Sequence, residues 1–461
     1  MSAITTRLAE AEIVSIDSDE QAIPPAFSDD ALALRFAEQH VDDLRFVSAW
    51  GKWLHWTGAC WRLDDTLLGF DLARAICREA AALCNKPSTA SILASAKTVA
   101  AVERLAKADR RIAATVDQWD ADPWLLNTPA GVIDLRSGQR RPHNPADHLT
   151  KLTAVSPAGT CPKWLGHIDK ITGGDVELQG FMKRMLGYSL TGSTMAHALF
   201  FLFGTGANGK SVVIDTAAGI LGDYHQTAPI ETFTASSTER HPTELAGLRG
   251  ARLVTAVETE EGRRWAESRI KTLTGGDRIS ARFMRQDFFE YQPQFKLMIA
   301  GNHKPGLRSV DEAIRRRFNL IPFAVTIPPE ERIDGFGEQL KAEWPGILAW
   351  MLEGCVEWQQ DGLNPPKAVT AATAAYLDAQ DALSAWIDEK CECAANGWEA
   401  RSALFDSWSK WAATTGEHAG SRSRFIDAME NRGFQQAKRQ GLGFRGISLK
   451  QMDYSEAHWN R

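Results

Sequence analysis

The segment that most restricts how this chain can fold is Gly204-Thr205-Gly206-Ala207-Asn208-Gly209-Lys210-Ser211. It joins an apolar run, Ala198 to Phe203, to a helix-like stretch, Val212 to Ala218. A buried strand that turns through glycines into a helix belongs in an α/β fold with a parallel sheet. The pattern G-x-x-x-x-G-K-[ST] is a phosphate loop. Its glycines let backbone N–H groups face phosphates, Lys210 reaches the β/γ-phosphates, and the Ser211 hydroxyl holds Mg²⁺. Gly204 through Val212 is therefore the candidate nucleotide site, with ATP and Mg²⁺ as expected cofactors.

The chain has 461 residues, room for several domains. No apolar run approaches the roughly 20 residues that a membrane span needs. Residues 1–27 carry Glu10, Glu12, Asp17, Asp19 and Glu20 against Arg7, which predicts a solvated, disordered acidic tail without a signal-peptide pattern. The seven cysteines are odd in number and scattered, so neither a disulfide framework nor a zinc site is indicated and a cytoplasmic location is expected. A net charge of −6 gives no bulk attraction to nucleic acid, so any such contact has to come from local clusters of positive charge.

Periodicity divides the rest. Residues 28–160 form an N-terminal domain. It contains a helix over Asp29 to His40, a hairpin module over Phe46 to Leu63 bearing Trp50, Trp53, Trp56 and Trp61, an Ala-rich helical stretch over 67–117, and a turn-rich segment over 122–151. The tryptophans suit core packing or the stacking of bases. Helical spacing marks 161–197, the nucleotide core occupies 198–335, a helical segment follows over 336–385, and a compact module ends the chain over 386–461.

Within the core, Arg252 to Val257 reads as an interior strand that delivers Glu258 to the sheet edge, with Glu260 close behind. Such an acid holds the Mg²⁺ shell or orients the attacking water. A second strand, Phe295 to Gly301, ends in Asn302, suited to sensing the γ-phosphate. Arg315-Arg316-Arg317 precedes a third strand, Asn319 to Phe323, and Arg316 or Arg317 suits an arginine finger offered to a neighbouring subunit. Between the first two strands, alternation about Arg285-Gln286-Asp287 predicts a β-hairpin carrying Lys271, Arg278, Arg282 and Arg285, placed to grip a phosphate backbone. Phe283, Phe288 and Phe289 suit base stacking or packing at its foot.

The C-terminal module reads as helix (Ser402 to Trp411), helix (Arg422 to Asn431) and a two-stranded wing, the order of a winged helix. Residues 421–450 hold Arg422, Arg424, Arg432, Lys438, Arg439, Arg445 and Lys450 against Asp427 and Glu430, a reversal of the overall sign that fits DNA contacts.

These motifs, in this order, resemble the superfamily 3 helicases, in particular the helicase part of phage and plasmid primase–helicases related to the poxvirus-type enzyme. The resemblance rests on the phosphate loop, Glu258-Thr259-Glu260-Glu261-Gly262, Leu273-Thr274-Gly275-Gly276-Asp277, Asn302-His303-Lys304-Pro305, and Arg316-Arg317 before Ile321-Pro322-Phe323. Leu125 to Pro129, Gly131 to Leu135 and the collar-like Leu186 to Gly192 extend it over most of residues 30–450.

It implies an AAA+-type core and a hexameric ring around single-stranded and forked DNA, with hairpins in the channel and ATP at subunit interfaces. It also implies 3′-to-5′ translocation in a bacterial host cell. Relatives often carry a primase domain that this chain is too short to hold, so a separate primase or polymerase is the expected partner. Thr259 separates Glu258 from Glu260 where the family has adjacent acids, and either could activate water. Two other readings compete with the helicase: an ATP-switched initiator or loader, and a remodelling ATPase indifferent to DNA.

Overall fold

A computed structural model describes residues 24–235, 243–258, 263–284, 288–307, 310–379, 382–394, 396–417, 419–439 and 441–450. Glu260, Arg285, most of the acidic tail and the side chains of Glu258 and Arg424 lie outside the described residues. The chain divides into two units. The first runs to Asp122 and adds Pro129–Val132 and Arg141–Leu152; the second takes Pro123–Thr128, Ile133–Arg140 and everything from Thr153 onward.

The first unit contains α1 (Asp29–Gln39), β1 (Leu44–Val47), β2 (Lys52–Trp56), β3 (Trp61–Leu63), α2 (Leu68–Ala82), α3 (Pro87–Leu93), α4 (Ala96–Ala106) and β4 (Ala113–Ala114). Ser28 caps α1 by accepting from the Ala31 N–H at 3.1 Å, which satisfies one of the donors a helix start leaves unpaired. The hairpin module is real: β1 and β2 pair antiparallel, β2 pairs with β3, and Gly51 supplies the left-handed turn at φ +62°. Trp61 and Trp119 are buried, 5.6 Å apart and edge to face, and the Trp61 indole N–H reaches the Pro145 carbonyl at 2.9 Å. Trp53 is buried too and donates to Glu103 at 2.7 Å, so these rings are core, whereas Trp50 and Trp56 are half-buried.

The segment shared between the units, expected to be turns, carries β5 (Leu125–Thr128), β6 (Gly131–Asp134) and β7 (Gln139–Arg141) in one three-stranded sheet. The helical stretch beyond it breaks at Gly173, left-handed at φ +64°, into α5 (Pro162–Thr172) and α6 (Val176–Tyr188). Then come β8 (Leu199–Phe203), α7 (Lys210–Leu221), β9 (His225–Thr227), the short α8 (Thr243–Ala246), β10 (Leu253–Glu258), α9 (Glu267–Gly275), β11 (Ile279–Ala281), β12 (Phe289–Tyr291), β13 (Lys296–Gly301), α10 (Glu312–Arg315) and β14 (Phe318–Pro322).

Strands β14-β8-β13-β10-β9 lie side by side in that order, every neighbouring pair parallel. Alternate residues of β8 feed different cores: Phe200 and Leu202 pack with Met298 and Ile321, Leu199 and Phe201 with Leu297 and Leu320. Burial on both faces explains why these strands read as unbroken apolar runs. At the opposite edge of the sheet two cations are buried among backbone carbonyls. Lys296 donates to the carbonyls of Thr191, Ser193 and Gln294, and Arg252 to those of Leu190 at 2.5 Å and Leu125 at 2.6 Å. Burial, and then the charge of Arg252, holds the Lys296 ammonium well below its ordinary pKa.

The chain continues through α11 (Phe336–Lys341), α12 (Trp344–Asp361), α13 (Lys367–Ala379) and α14 (Ala382–Lys390). The C-terminal module adds β15 (Cys391–Glu392), β16 (Trp398–Ala400), α15 (Arg401–Thr415), α16 (Arg422–Asn431), β17 (Gln435–Lys438), β18 (Leu442–Arg445) and β19 (Ser448–Leu449). Its two helices fall where periodicity places them. The sheet differs from a two-stranded wing, because β16 pairs with β18 beside β17 while β19 pairs with β15. Leu404, Trp408, Phe425, Met429 and Phe444 form the core of the module.

Helices α6 and α12 touch backbone to backbone through two glycines. A Cβ at Gly187 would collide with the backbone of Gly354 and Cys355, and one at Gly354 with the carbonyl of Lys183. Gly187→Ala or Gly354→Ala is expected to cost about 1–3 kcal/mol by overpacking. Gly166→Ala, where a Cβ meets nothing within 4 Å, should leave urea unfolding unchanged or slightly stabilised.

Candidate functional site

The strand register builds the site. Phe203, Gly301, Glu258 and Pro322 occupy one row at the carboxyl edge of the sheet, since Gly301 pairs with both Phe203 and Glu258, and Phe203 with Pro322. Gly204 and Asn302 follow directly on that row. Strand β8 sits between β13 and β14, where connections leave in opposite directions, the position at which open parallel sheets bind ligands.

The glycine-rich loop leaves β8 and enters α7 with left-handed backbone at Gly206 (φ +105°), Ala207 (+49°) and Gly209 (+79°). Turns of this kind bring successive N–H groups into a concave anion site at a helix start. Side-chain space sets two of the glycines. A Cβ at Gly204 would collide with Asn208 Nδ2 and the Phe323 carbonyl; one at Gly209 would lie 2.6 Å from Ile171 Cγ2 and 2.8 Å from His167 Cε1. Gly206 faces open space, and Thr205 and Ala207 are exposed.

Lys210 is buried yet meets only uncharged oxygens among the described residues. Its Nζ donates to the Gly204 carbonyl at 2.5 Å, Asn208 Oδ1 at 3.1 Å and Asn302 Oδ1 at 3.2 Å, and burial lowers its pKa. An ammonium held by neutral acceptors beside a concave row of N–H groups is complementary to a polyanion. Asn208 also donates to the Phe323 carbonyl at 3.2 Å, and the Ile327 N–H to the Ala207 carbonyl at 2.8 Å, so the chain beyond β14 braces the loop. Ser211 is exposed at the first turn of α7, where a hydroxyl can join an Mg²⁺ shell, and Val212 is half-buried behind it.

Glu258 ends β10 in the row beside Gly301, so its backbone stands at the same edge as Asn302. The two candidate arginines part company. Arg317 is buried; it donates to Thr274 Oγ1 at 3.1 Å and the Ala313 carbonyl at 2.7 Å, and burial lowers its pKa. Arg316 is exposed and makes no side-chain hydrogen bond or ion pair among the described residues.

The predicted hairpin is present: β11 pairs antiparallel with β12, Ile279 opposite Tyr291 and Ala281 opposite Phe289. One of its expected residues lies elsewhere. Lys271 is on helix α9, ion-paired with Asp311, because the helix continues to Gly275 and stops at the left-handed Gly276 (φ +81°). Arg278 is exposed, Arg282 covers the Phe288 ring at 4.6 Å, and Phe283 stacks on Phe289 with centroids 5.6 Å apart. Phe283, Met284 and Phe288 remain 41%, 68% and 57% exposed, too open to be packing alone. In the C-terminal module, Lys438, Arg439 and Arg445 are exposed, and Arg422 covers the Phe405 ring at 5.3 Å.

His167, Ile171 and Ile327 shape the loop although no motif marks them, together with Phe323. They reach it only through the packing of α5 and the chain after β14.

Two family models match the chain: "D5 N terminal like" over residues 33–173 and "Family of unknown function (DUF5906)" over residues 202–317. "Putative helicase L207/L206" of Acanthamoeba polyphaga mimivirus is 26% identical over 296 residues, 59% of this chain and 31% of that protein. "Putative helicase 022R" of Frog virus 3 is 25% identical over 234 residues, 45% of this chain and 24% of that protein. The matched part thus spans a third or less of these curated relatives. Among solved structures, the apo A form of the NrS-1 C-terminal region shares the fold at a TM-score of 0.51 and 10% identity, covering 91% of this chain and 98% of that one. These similarities support a D5-like relationship. Both relatives belong to viruses of eukaryotes and lend no support to a bacterial host. Among the described residues no helix is long and apolar enough to cross a membrane.

His167 is buried against the loop, and its Nε2 has no partner within hydrogen-bond geometry among the described residues. Burial, then the charge of Lys170, holds its pKa down at about 4 against an ordinary 6.5. Between those values the unfolded chain binds the extra proton, so stability is lost as pH falls through that window, by up to about 3 kcal/mol. Urea unfolding at pH 7, 5.5 and 4.5 is expected to show the wild type losing stability on acidification more steeply than His167→Phe; parallel curves would remove His167 as the cause.

Proposed function

We propose that this chain is the motor of an ATP-dependent DNA helicase that serves replication of a virus or other mobile element. The observation that carries the proposal is Lys210 held among Gly204, Asn208 and Asn302 on the row that ends β10 at Glu258. In this reading Gly204 to Val212 hold the triphosphate, while Ser211 and Glu258 hold Mg²⁺, which supplies charge neutralisation when bound. Asn302 senses the γ-phosphate through the same amide that now holds Lys210. Glu258 or Glu260 orients water, and Arg316, whose guanidinium is unspent among the described residues, is the better finger of the two arginines.

The finer reading follows the resemblance: a superfamily 3, AAA+-type core with a winged-helix module, closing as a homo-oligomeric ring and moving 3′ to 5′. The strand order β14-β8-β13-β10-β9 supports it, as do the D5-like similarity and the names of the viral relatives. Arg278, Arg282 and Arg285 of the hairpin, Lys271 of α9, and Arg422, Arg424, Lys438, Arg439 and Arg445 of the last module are its DNA contacts, with a separate primase or polymerase as partner.

Steady-state hydrolysis is expected to rise with single-stranded DNA in the wild type and to fall roughly 100-fold or more in Lys210→Ala, which loses a charge aimed at the phosphates. Arg282→Ala with Arg285→Ala should keep basal hydrolysis and lose separation of a forked duplex. DNA-stimulated hydrolysis without strand separation by the wild type would favour the loader, and DNA-insensitive hydrolysis the remodelling ATPase. An arginine finger contributes about 10³-fold or more. Arg316→Ala should therefore be nearly inactive alone yet regain activity when mixed with Lys210→Ala, each supplying the other's missing half-site.

A further inference from the structure

At the foot of the hairpin the chain forms a cleft of about 300 Å³, open to solvent, between α9 and β11. Arg269 and Arg278 line it together with the hydroxyls of Ser268, Thr272 and Ser280, over a floor that includes the buried Ile279. None of its lining residues is acidic. Arg278 is exposed and makes no hydrogen bond or ion pair among the described residues. Arg269 commits one amine to the Thr232 carbonyl at 3.2 Å, which aims the guanidinium while leaving its other donors available.

The chemistry narrows the occupant. Two cationic forks with the hydroxyls of Ser268 and Ser280 suit phosphate oxygens, while the Thr272 hydroxyl is spent on the Ser268 carbonyl at 3.1 Å. The volume is at the small end for ligand sites and lacks an aromatic wall against which a base could stack. Three residues beyond Ser280, the exposed Phe283 and, further on, the exposed Phe288 do offer π-faces. Phosphates at the foot and bases at the tip is how sequence-tolerant single-strand sites are built.

We propose that this cleft is a seat for the phosphodiester backbone of single-stranded nucleic acid, with Arg269 and Arg278 as its phosphate ligands. The proposal rests on the helicase reading and adds Arg269, Ser268 and Ser280, which no motif indicated. No part of it requires the nucleotide loop to change.

The test is fluorescence anisotropy of a labelled oligo-dT bound by the full chain across a salt series, with particle size followed in the same samples. The logarithm of affinity falls with log[salt] by about 0.7 per neutralised phosphate on a single strand. Arg278→Gln should flatten the slope by about 0.7 and the double variant with Arg269→Gln by about 1.4, while Arg74→Gln, on the first unit, leaves it unchanged. Ser280→Glu places a carboxylate in the cleft without removing either arginine and should weaken binding most at low salt, so the proposal survives a poorly folding arginine variant. Unchanged slopes in variants that still bind oligo-dT would overturn the cleft and leave the helicase reading standing. A slope lost only together with oligomer assembly would also overturn it, making the cleft a subunit contact. No oligo-dT binding by the wild type would overturn both.

Discussion

Strand β8 is buried on both faces and paired on both edges, and the arrangement of the site follows from that. With β14 on one side and β13 on the other, its exit toward α7 is confined to the crevice between diverging connections. Because every strand of the sheet is parallel, all carboxyl ends face the same way, and the ladder aligns Phe203 with Gly301, Glu258 and Pro322. Lys210 and Asn302, 92 positions apart, can therefore meet at 3.2 Å without any contact made for that purpose. The opposite edge is held as firmly. Burying Lys296 and Arg252 would cost several kcal/mol per ion if unsatisfied. The carbonyls of Leu190, Thr191 and Ser193 offset this, and in doing so fasten the loop before β8 to the starts of β10 and β13.

The phosphate loop owes its shape to what stands behind it. Gly209 is required twice over, by its left-handed φ and by the His167 and Ile171 side chains that occupy its Cβ position. Asn208 spends its two amide ends on Lys210 and Phe323, so the lysine, the loop and the chain beyond β14 move as one body. Helix α5 thereby has a direct mechanical line to the helix start that would face the phosphates. A neutral His167 suits that place, since a charge there would sit beside Lys170 and the positive end of α7.

Electrostatics in this molecule are local. A chain of net charge −6 nonetheless leaves Arg278 exposed at the foot of the hairpin and Lys438, Arg439 and Arg445 exposed on the final module. Lys271, by contrast, is neutralised by Asp311, and Arg317 is turned into the interior. Arg282 lies over the ring of the exposed Phe288, so charge and an aromatic face are offered on one element.

The sequence by itself determined the strands and helices whose residues carry the period of their surroundings. The apolar runs of β8, β10 and β13, the helices α1, α12 and α16, the hairpin and the phosphate loop were all legible, because burial on two faces, burial on one face and a glycine-bound turn each impose a local pattern. Lys210, Asn302 and the end of β10 could be named from motifs for the same reason. Tertiary structure alone decided the rest. Segment 122–151 reads as turns because its strands are short and its pairing partners are not neighbours in a periodic pattern. Strand order, the division of Arg316 from Arg317, the seat of His167 and the cleft at Arg269 depend on which distant segments come to lie together. A single chain of side chains does not encode that as a local period; it emerges when the two faces of β8 are buried at once.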